Sequence, residues 1–308
     1  MKIPEKCFPT AKEYQCNPAE FVREHVVTIN GKKRTLRAYA YGSGGEELRA
    51  LHTAVAQIIS SGYMPSNASV AYKKGDNIVK CVSRHLSGCV FFKSDIVSFF
   101  ESITLEKFMD RLKDSLLGKN SDLKKLLPAC FYENMLPLGF CCSPILSDFY
   151  LSDIDKKYEN GQGYVYTRYA DDFIVSSRVE NGEEILEELR EKLWDDMESV
   201  GLDLNEKKTY IRRLDHDGDH FHALGLNIVR REKGKNIITV GDAYLRETCK
   251  QLTAIVGGET NNEEDICAVR GKIEFIRMAS QDSYRKFERL VKVKTGSSLQ
   301  AISEKLSD

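Results

Sequence analysis

Two aspartates stand side by side at Asp171-Asp172, and both flanks of the pair have the composition of β-strands. Before it runs Tyr164-Val165-Tyr166-Thr167-Arg168, and after it Phe173-Ile174-Val175-Ser176-Ser177, residues that suit a pleated, half-buried surface. The tetrad Tyr169-Ala170-Asp171-Asp172 therefore reads as the tip of a β-hairpin. Like charges repel there, and a solvated surface turn is the simplest setting that tolerates them. The alternative is a divalent cation lying against them, because hard cations take hard oxygen ligands.

A third carboxylate, Asp95, ends the apolar run Cys89-Val90-Phe91-Phe92-Lys93-Ser94 and leads into Ile96-Val97-Ser98-Phe99-Phe100. This pattern predicts a buried strand that delivers a carboxylate at its C-terminal end. Phosphoryl transfer by two metals needs cations about 4 Å apart, bridged by carboxylates from at least two backbone segments. Asp95 and Asp171 on neighbouring strands meet that need. Each aspartate alone reads as a solvated loop residue. Each ending or turning an apolar strand, they point together to catalysis.

Further segments follow in a fixed order. They are Leu136-Pro137-Leu138-Gly139-Phe140-Cys141-Cys142-Ser143-Pro144, then Tyr166 to Asp172, then Gly201-Leu202-Asp203-Leu204-Asn205-Glu206-Lys207-Lys208-Thr209, then Phe221-His222-Ala223-Leu224-Gly225-Leu226. With Phe91 to Phe100 they resemble the successive palm motifs of a bacterial reverse transcriptase of the retron or phage-defence type. A lone Tyr-Ala-Asp-Asp is a weak signal, whereas five motifs in order are specific. The resemblance implies an α+β right-hand polymerase: fingers at 1–90, a palm at 91–234 with an interleaved fingers segment, and a small helical thumb at 235–308. In such a fold an antiparallel palm sheet carries the Tyr-Ala-Asp-Asp hairpin.

The same resemblance assigns roles. Asp95, Asp171 and the backbone of Ile96 would hold two Mg2+ ions, with Mn2+ as a substitute, and Asp172 would tune the pair. Phe100 matches a steric gate against the 2′-hydroxyl; a core aromatic beside Phe99 is the alternative. Lys33, Arg34 and Arg37 are candidates to hold the triphosphate, since guanidinium pairs bidentately with phosphate; idle charges on a surface hairpin are the other reading. Gly139 would let backbone approach nucleotide or template, and Ser143 would hydrogen-bond the templating strand. Lys208 matches a lysine that protonates departing pyrophosphate, with Lys207 as the fallback. The sequence departs from the family at Leu138, where glutamine is usual, and at Ala223-Leu224-Gly225, where retrons carry Val-Thr-Gly. An Asn-Ala-x-x-His element ahead of Asp95 is not recognisable either.

Composition narrows the remaining classes. No apolar stretch approaches the roughly 20 residues that span a bilayer, and Met1 to Lys6 lacks the apolar core of a signal peptide. A cytoplasmic location without membrane contact is expected. The nine cysteines show no paired spacing, and they read mostly as small buried hydrophobes. His216, His220 and His222 fall in a stretch with Asp215, Asp217 and Asp219 that reads as a polar hairpin loop. Net charge is −1, yet an acidic block from Glu183 to Glu198 holds much of the negative charge. Ile185, Leu186, Leu189, Leu193 and Met197 recur there at helical spacing, so the block is an amphipathic helix with a solvated acidic face. The remainder is basic.

In the N-terminal region, Phe21 to Ile29 and Lys33 to Tyr41 read as strands joined at Asn30-Gly31, a strong hairpin turn. Gly42-Ser43-Gly44-Gly45 reads as a break, with a helix following from Glu46. From Asp242 onward three helices are expected: Ala243 to Val256, Glu263 to Met278, and Asp282 to Val293. The function that follows is RNA-directed DNA polymerisation with an RNA template, a DNA primer or product, and deoxynucleoside triphosphates. The expected setting is a retron or antiviral system with a structured non-coding RNA and an effector protein. Two alternatives stay open: untemplated deoxynucleotide addition, suggested by Leu138, and a catalytically silent RNA-binding scaffold.

Overall fold

The computed structural model describes residues 3–29, 32–259 and 262–305. At the N-terminus a helix α1 (Cys7–Cys16) precedes strands β1 (Val22–Ile29) and β2 (Lys32–Tyr39). These pair antiparallel from Val22↔Tyr39 to Ile29↔Lys32. Their turn, Asn30-Gly31, lies outside the described residues. Helix α2 (Ser43–Gly62) starts three residues before the expected Glu46, so Ser43, Gly44 and Gly45 form its first turn and only Gly42, at φ +103°, breaks the chain. Gly45 is needed for closeness: a Cβ there would lie 1.9 Å from the Ala40 carbonyl oxygen.

The middle of the chain runs α3 (Ile78–Ser83), β3 (Val90–Asp95), α4 (Phe99–Ser102), α5 (Leu105–Lys113), α6 (Ser121–Leu126), α7 (Ser143–Glu159), β4 (Tyr164–Tyr169), β5 (Asp172–Ser177), α8 (Gly182–Ser199) and β6 (Tyr210–Arg213). Its four strands form one antiparallel sheet in the order β4-β5-β3-β6. Successive side chains on a strand point to opposite faces, and both faces of this sheet are covered. Phe92 and Val175 belong to the larger core, with Leu186, Leu189, Leu193 and Met197 of α8. Phe91 and Ile174 face a second core, where the Phe91 ring stacks on Phe221 at 4.9 Å. Two-sided burial explains why Val90-Phe91-Phe92 is continuously apolar rather than alternating. The outer side of α8 carries the acidic residues, as its periodicity predicts.

Three strands, β7 (His220–Ala223), β8 (Leu226–Arg231) and β9 (Lys235–Val240), make a second antiparallel sheet. Strand β9 escaped the sequence reading; it pairs with β8 across residue 234, from Leu226↔Val240 to Arg231↔Lys235. His220 and His222 stand on β7, while Asp219 closes the preceding turn by accepting the amides of Asp215 and His216. The C-terminal helices α9 (Asp242–Val256), α10 (Glu263–Ala279) and α11 (Gln281–Thr295) match expectation within a few residues, and α12 (Leu299–Lys305) is a fourth. Ser283 Oγ accepts the Val240 amide and so ties α11 to β9. Among the described residues no helix is long and apolar enough to cross a membrane.

Candidate active site

The sheet register brings the acidic residues together. Asp95, the last residue of β3, sits opposite Asp172, the first of β5. Between β4 and β5, Ala170 takes the left-handed conformation at φ 57° and turns the chain at the tip predicted from sequence. The Ile96 amide donates to the Asp171 carbonyl at 3.0 Å, and the Asn205 amide donates to the Asp95 carbonyl at 2.8 Å. Three segments far apart in sequence are thus stitched at one point.

Charge concentrates here. Burial, with repulsion from the neighbouring Asp172 and Asp95, pushes the Asp171 carboxyl up to about 6 against the opposing pull of Arg34. The Asp172 carboxyl is raised mainly by burial and also by Asp95, while Lys93 and Lys208 oppose the shift. Lys93 Nζ lies 3.3 Å from Asp172 Oδ1, and Lys208 Nζ lies 2.7 Å from Asp95 Oδ2. Crowded carboxylates resist ionising together unless positive charge is near. A donor set of hard oxygens under mutual repulsion suits a divalent cation of the magnesium type.

A cleft of about 750 Å³ opens beside the carboxylates. Lys33, Arg34, Arg37, Asp95, Ile96, Phe100, Leu138, Asp171 and Lys208 all line it. The three basic candidates differ in freedom. Lys33 and Arg34 are exposed, whereas the Arg37 guanidinium pairs with Glu24 at 3.1 Å and lies 4.6 Å from the centre of the Tyr132 ring.

Ser143 and Gly139 are both engaged within the chain. Ser143 is only 1% exposed and its hydroxyl donates to the Pro137 carbonyl, so it braces the start of α7 instead of reaching a templating strand. Gly139 is required by packing: at φ +112° a Cβ would lie 2.3 Å from the Arg37 carbonyl oxygen, where Leu138 accepts the Arg37 amide.

Other residues at the site escaped the sequence reading. Tyr72, at φ 65° and 49% exposed, lines the cleft, and Asp171 helps raise its phenol after burial. His85 is fully buried behind the hairpin, with Nδ1 on Ser176 Oγ and Nε2 on Thr167 Oγ1, each at 2.8 Å. Arg168 is fully buried inside β4, paired with Asp148 and Asp155 of α7. An arginine within an apolar strand, and two aspartates seven residues apart on one helix, were the available signals. Away from the cleft, the ligand-type atoms of His52, Cys130 and Cys142 lie within 4.8 Å of one another. Both ring nitrogens of His52 are already engaged there, by Tyr39 Oη and by the Ala129 carbonyl.

Comparison with known proteins agrees with this geometry. The family model described as reverse transcriptase (RNA-dependent DNA polymerase) matches residues 45–228. The retron Ec86 reverse transcriptase of Escherichia coli is 27% identical over 268 residues, covering 86% of this chain and 79% of that protein. The retron Ec83 reverse transcriptase of Escherichia coli is 27% identical over 159 residues, 47% of this chain and 50% of that protein. Among solved structures, apo telomerase from Candida tropicalis superposes with a TM-score of 0.54 at 12% identity, covering 100% of this chain and 60% of that one. Telomerase from Candida albicans, in complex with a TWJ fragment of telomeric RNA, gives 0.54 at 12% identity, covering 99% and 57%. The chain thus spans about three fifths of those telomerases, and the likeness is one of fold.

Proposed function

The chain belongs to the reverse transcriptase (RNA-dependent DNA polymerase) family, and from that premise we propose that it copies a dedicated structured RNA into DNA by two-metal nucleotidyl transfer. The setting we propose is a bacterial retron or antiviral system in the cytoplasm, with an effector protein as partner. Fingers at 1–90, palm at 91–234 and thumb at 235–308 are the corresponding divisions, β9 being the strand that joins thumb to palm. The register that sets Asp95 beside Asp171-Asp172 is the observation that carries this reading.

Two divalent cations bound at Asp95, Asp171 and Ile96, Mg2+ or its substitute Mn2+, would activate the primer 3′-hydroxyl and offset charge on the triphosphate. Lys33 and Arg34 hold the triphosphate from the cleft wall, and Arg37 shapes that wall from its pairing with Glu24. Phe100 lies under the sugar and excludes a 2′-hydroxyl. Lys208 neutralises Asp95 in the resting chain and supplies the proton for departing pyrophosphate, a contribution of roughly 10²-fold. The β7–β8 hairpin supports the primer end.

Primer extension on an RNA template, with purified chain, deoxynucleotides and Mg2+, tests this. Asp171→Asn or Asp95→Asn is expected to lower the rate by roughly 10³-fold while RNA binding persists. Undiminished extension would refute the reading. Leu138 on the cleft wall offers no hydrogen bond to an incoming nucleotide, which favours untemplated addition as the second reading. A homopolymer made without added template would establish it. Biological activity that survives loss of both carboxylates would instead establish the silent scaffold.

A further inference from the structure

We propose that Arg168 is a positioning residue for the Asp171 carboxylate, acting through the carbonyl of Ala170; the inference rests on the reading of Asp171 as a cation ligand. Arg168 is 0% exposed in β4, where a guanidinium is costly unless every side of it is paired. Its Nε donates to both Asp155 oxygens at 2.9 and 3.1 Å. Nη2 reaches Asp155 Oδ2, Asp148 Oδ1 at 2.9 Å and Ser69 Oγ at 3.3 Å. Tyr166 and Tyr63 hydroxyls donate to the same two carboxylates, as does Ser69. The fork is therefore locked against α7 and the segment around Ser69.

One donor points elsewhere. Nη1 gives its hydrogen to the Ala170 carbonyl at 3.0 Å. That carbonyl and the amide of Asp171 belong to one rigid peptide plane, so fixing one end orients the other. The next plane is fixed independently, because the Asp171 carbonyl accepts the Ile96 amide at 3.0 Å. Asp171 is thus held by a plane on each side, one tied to Ile96 just beyond β3 and the other to the buried guanidinium. The contact also braces the left-handed backbone of Ala170, φ 57°, a region that disfavours side chains other than glycine. Buried ion pairs are weak evidence for stability, and here the geometry points to orientation.

Arg168→Lys keeps the charge but loses the fork, and Asp148→Asn loosens one anchor while keeping its shape. The readouts are Mn2+ affinity of the purified chain by electron paramagnetic resonance, the thermal midpoint, and the metal dependence of extension. Arg168→Lys is expected to melt cooperatively yet bind Mn2+ roughly 10-fold more weakly, the usual effect of losing a support behind a ligand. Asp148→Asn shifts in the same direction by less, and primer–template affinity stays unchanged in both. A lowered melting point with wild-type Mn2+ affinity in both variants would overturn the proposal, as would wild-type affinity in Asp148→Asn if Arg168→Lys does not fold. Asp171→Asn separates the premises: if it binds Mn2+ as wild type does, the ligand reading itself fails. If it loses Mn2+ while the other variants keep it, only the role of Arg168 fails.

Discussion

Phe100 is half-buried on the cleft wall, tilted against Phe99 with ring centroids 5.4 Å apart. If it is the gate, Phe100→Ala opens room for a 2′-hydroxyl. Ribonucleotide incorporation should then rise relative to deoxynucleotide by roughly 10-fold or more, read in a competition assay on one primer. An unchanged ratio leaves Phe100 a core aromatic. His85 carries a different prediction. Burial holds its imidazole down at about 3 from an ordinary 6.5. Between those values the unfolded chain takes up a proton that the folded chain refuses. Stability is therefore full above about pH 6.5 and falls below it, by up to ~1.4 kcal/mol per pH unit. Melting curves from pH 7 to 4 should show a shallower decline for His85→Asn, and equal slopes would refute this origin. Asp95 and Asp171 were legible in the sequence because each interrupts a strand pattern. The contacts of Ser143 and Arg37 were not, because the direction of one hydroxyl and the partner of one guanidinium depend on how separate segments of the chain pack.

At the scale of elements, the β1–β2 hairpin reaches the cleft through its join to the Leu138-Gly139 segment, where the Arg37 amide meets the Leu138 carbonyl. Gly139→Ala forces a Cβ to within 2.3 Å of the Arg37 carbonyl oxygen at a φ of +112°. A loss of about 2 kcal/mol or more is expected, with a higher KM for deoxynucleotides as Lys33 and Arg34 shift. A melting point and KM equal to wild type would show that the join carries no load. Element type followed from periodicity for α8, α9, α10 and α11. Strand β9 was missed because Asn236-Ile237-Ile238-Thr239-Val240 is short and adjoins a helix start. The start of α2 was misplaced because glycines that normally break a helix are admitted here by the close approach of Ala40.

For the whole molecule, a net charge of −1 conceals separation: the acid lies on the outer side of α8, while Lys33 and Arg34 line the cleft. Affinity for RNA should accordingly fall on the order of 10³-fold between about 50 and 200 mM salt, measured by filter binding. A salt-independent affinity would exclude backbone contacts as its source. The order of motifs exposed the overall plan, but the double-sided packing of the central sheet was visible only as an unusually apolar β3. That packing sets a distance. Phe91, four residues before Asp95, lies face to face with Phe221 of the hairpin proposed to support the primer. If that hairpin holds the primer, the gap between the primer terminus and the reaction centre would be gauged by two rings in contact rather than by a pliable linker. On that proposal it would be the duplex that steps forward after every addition, the gauge staying still.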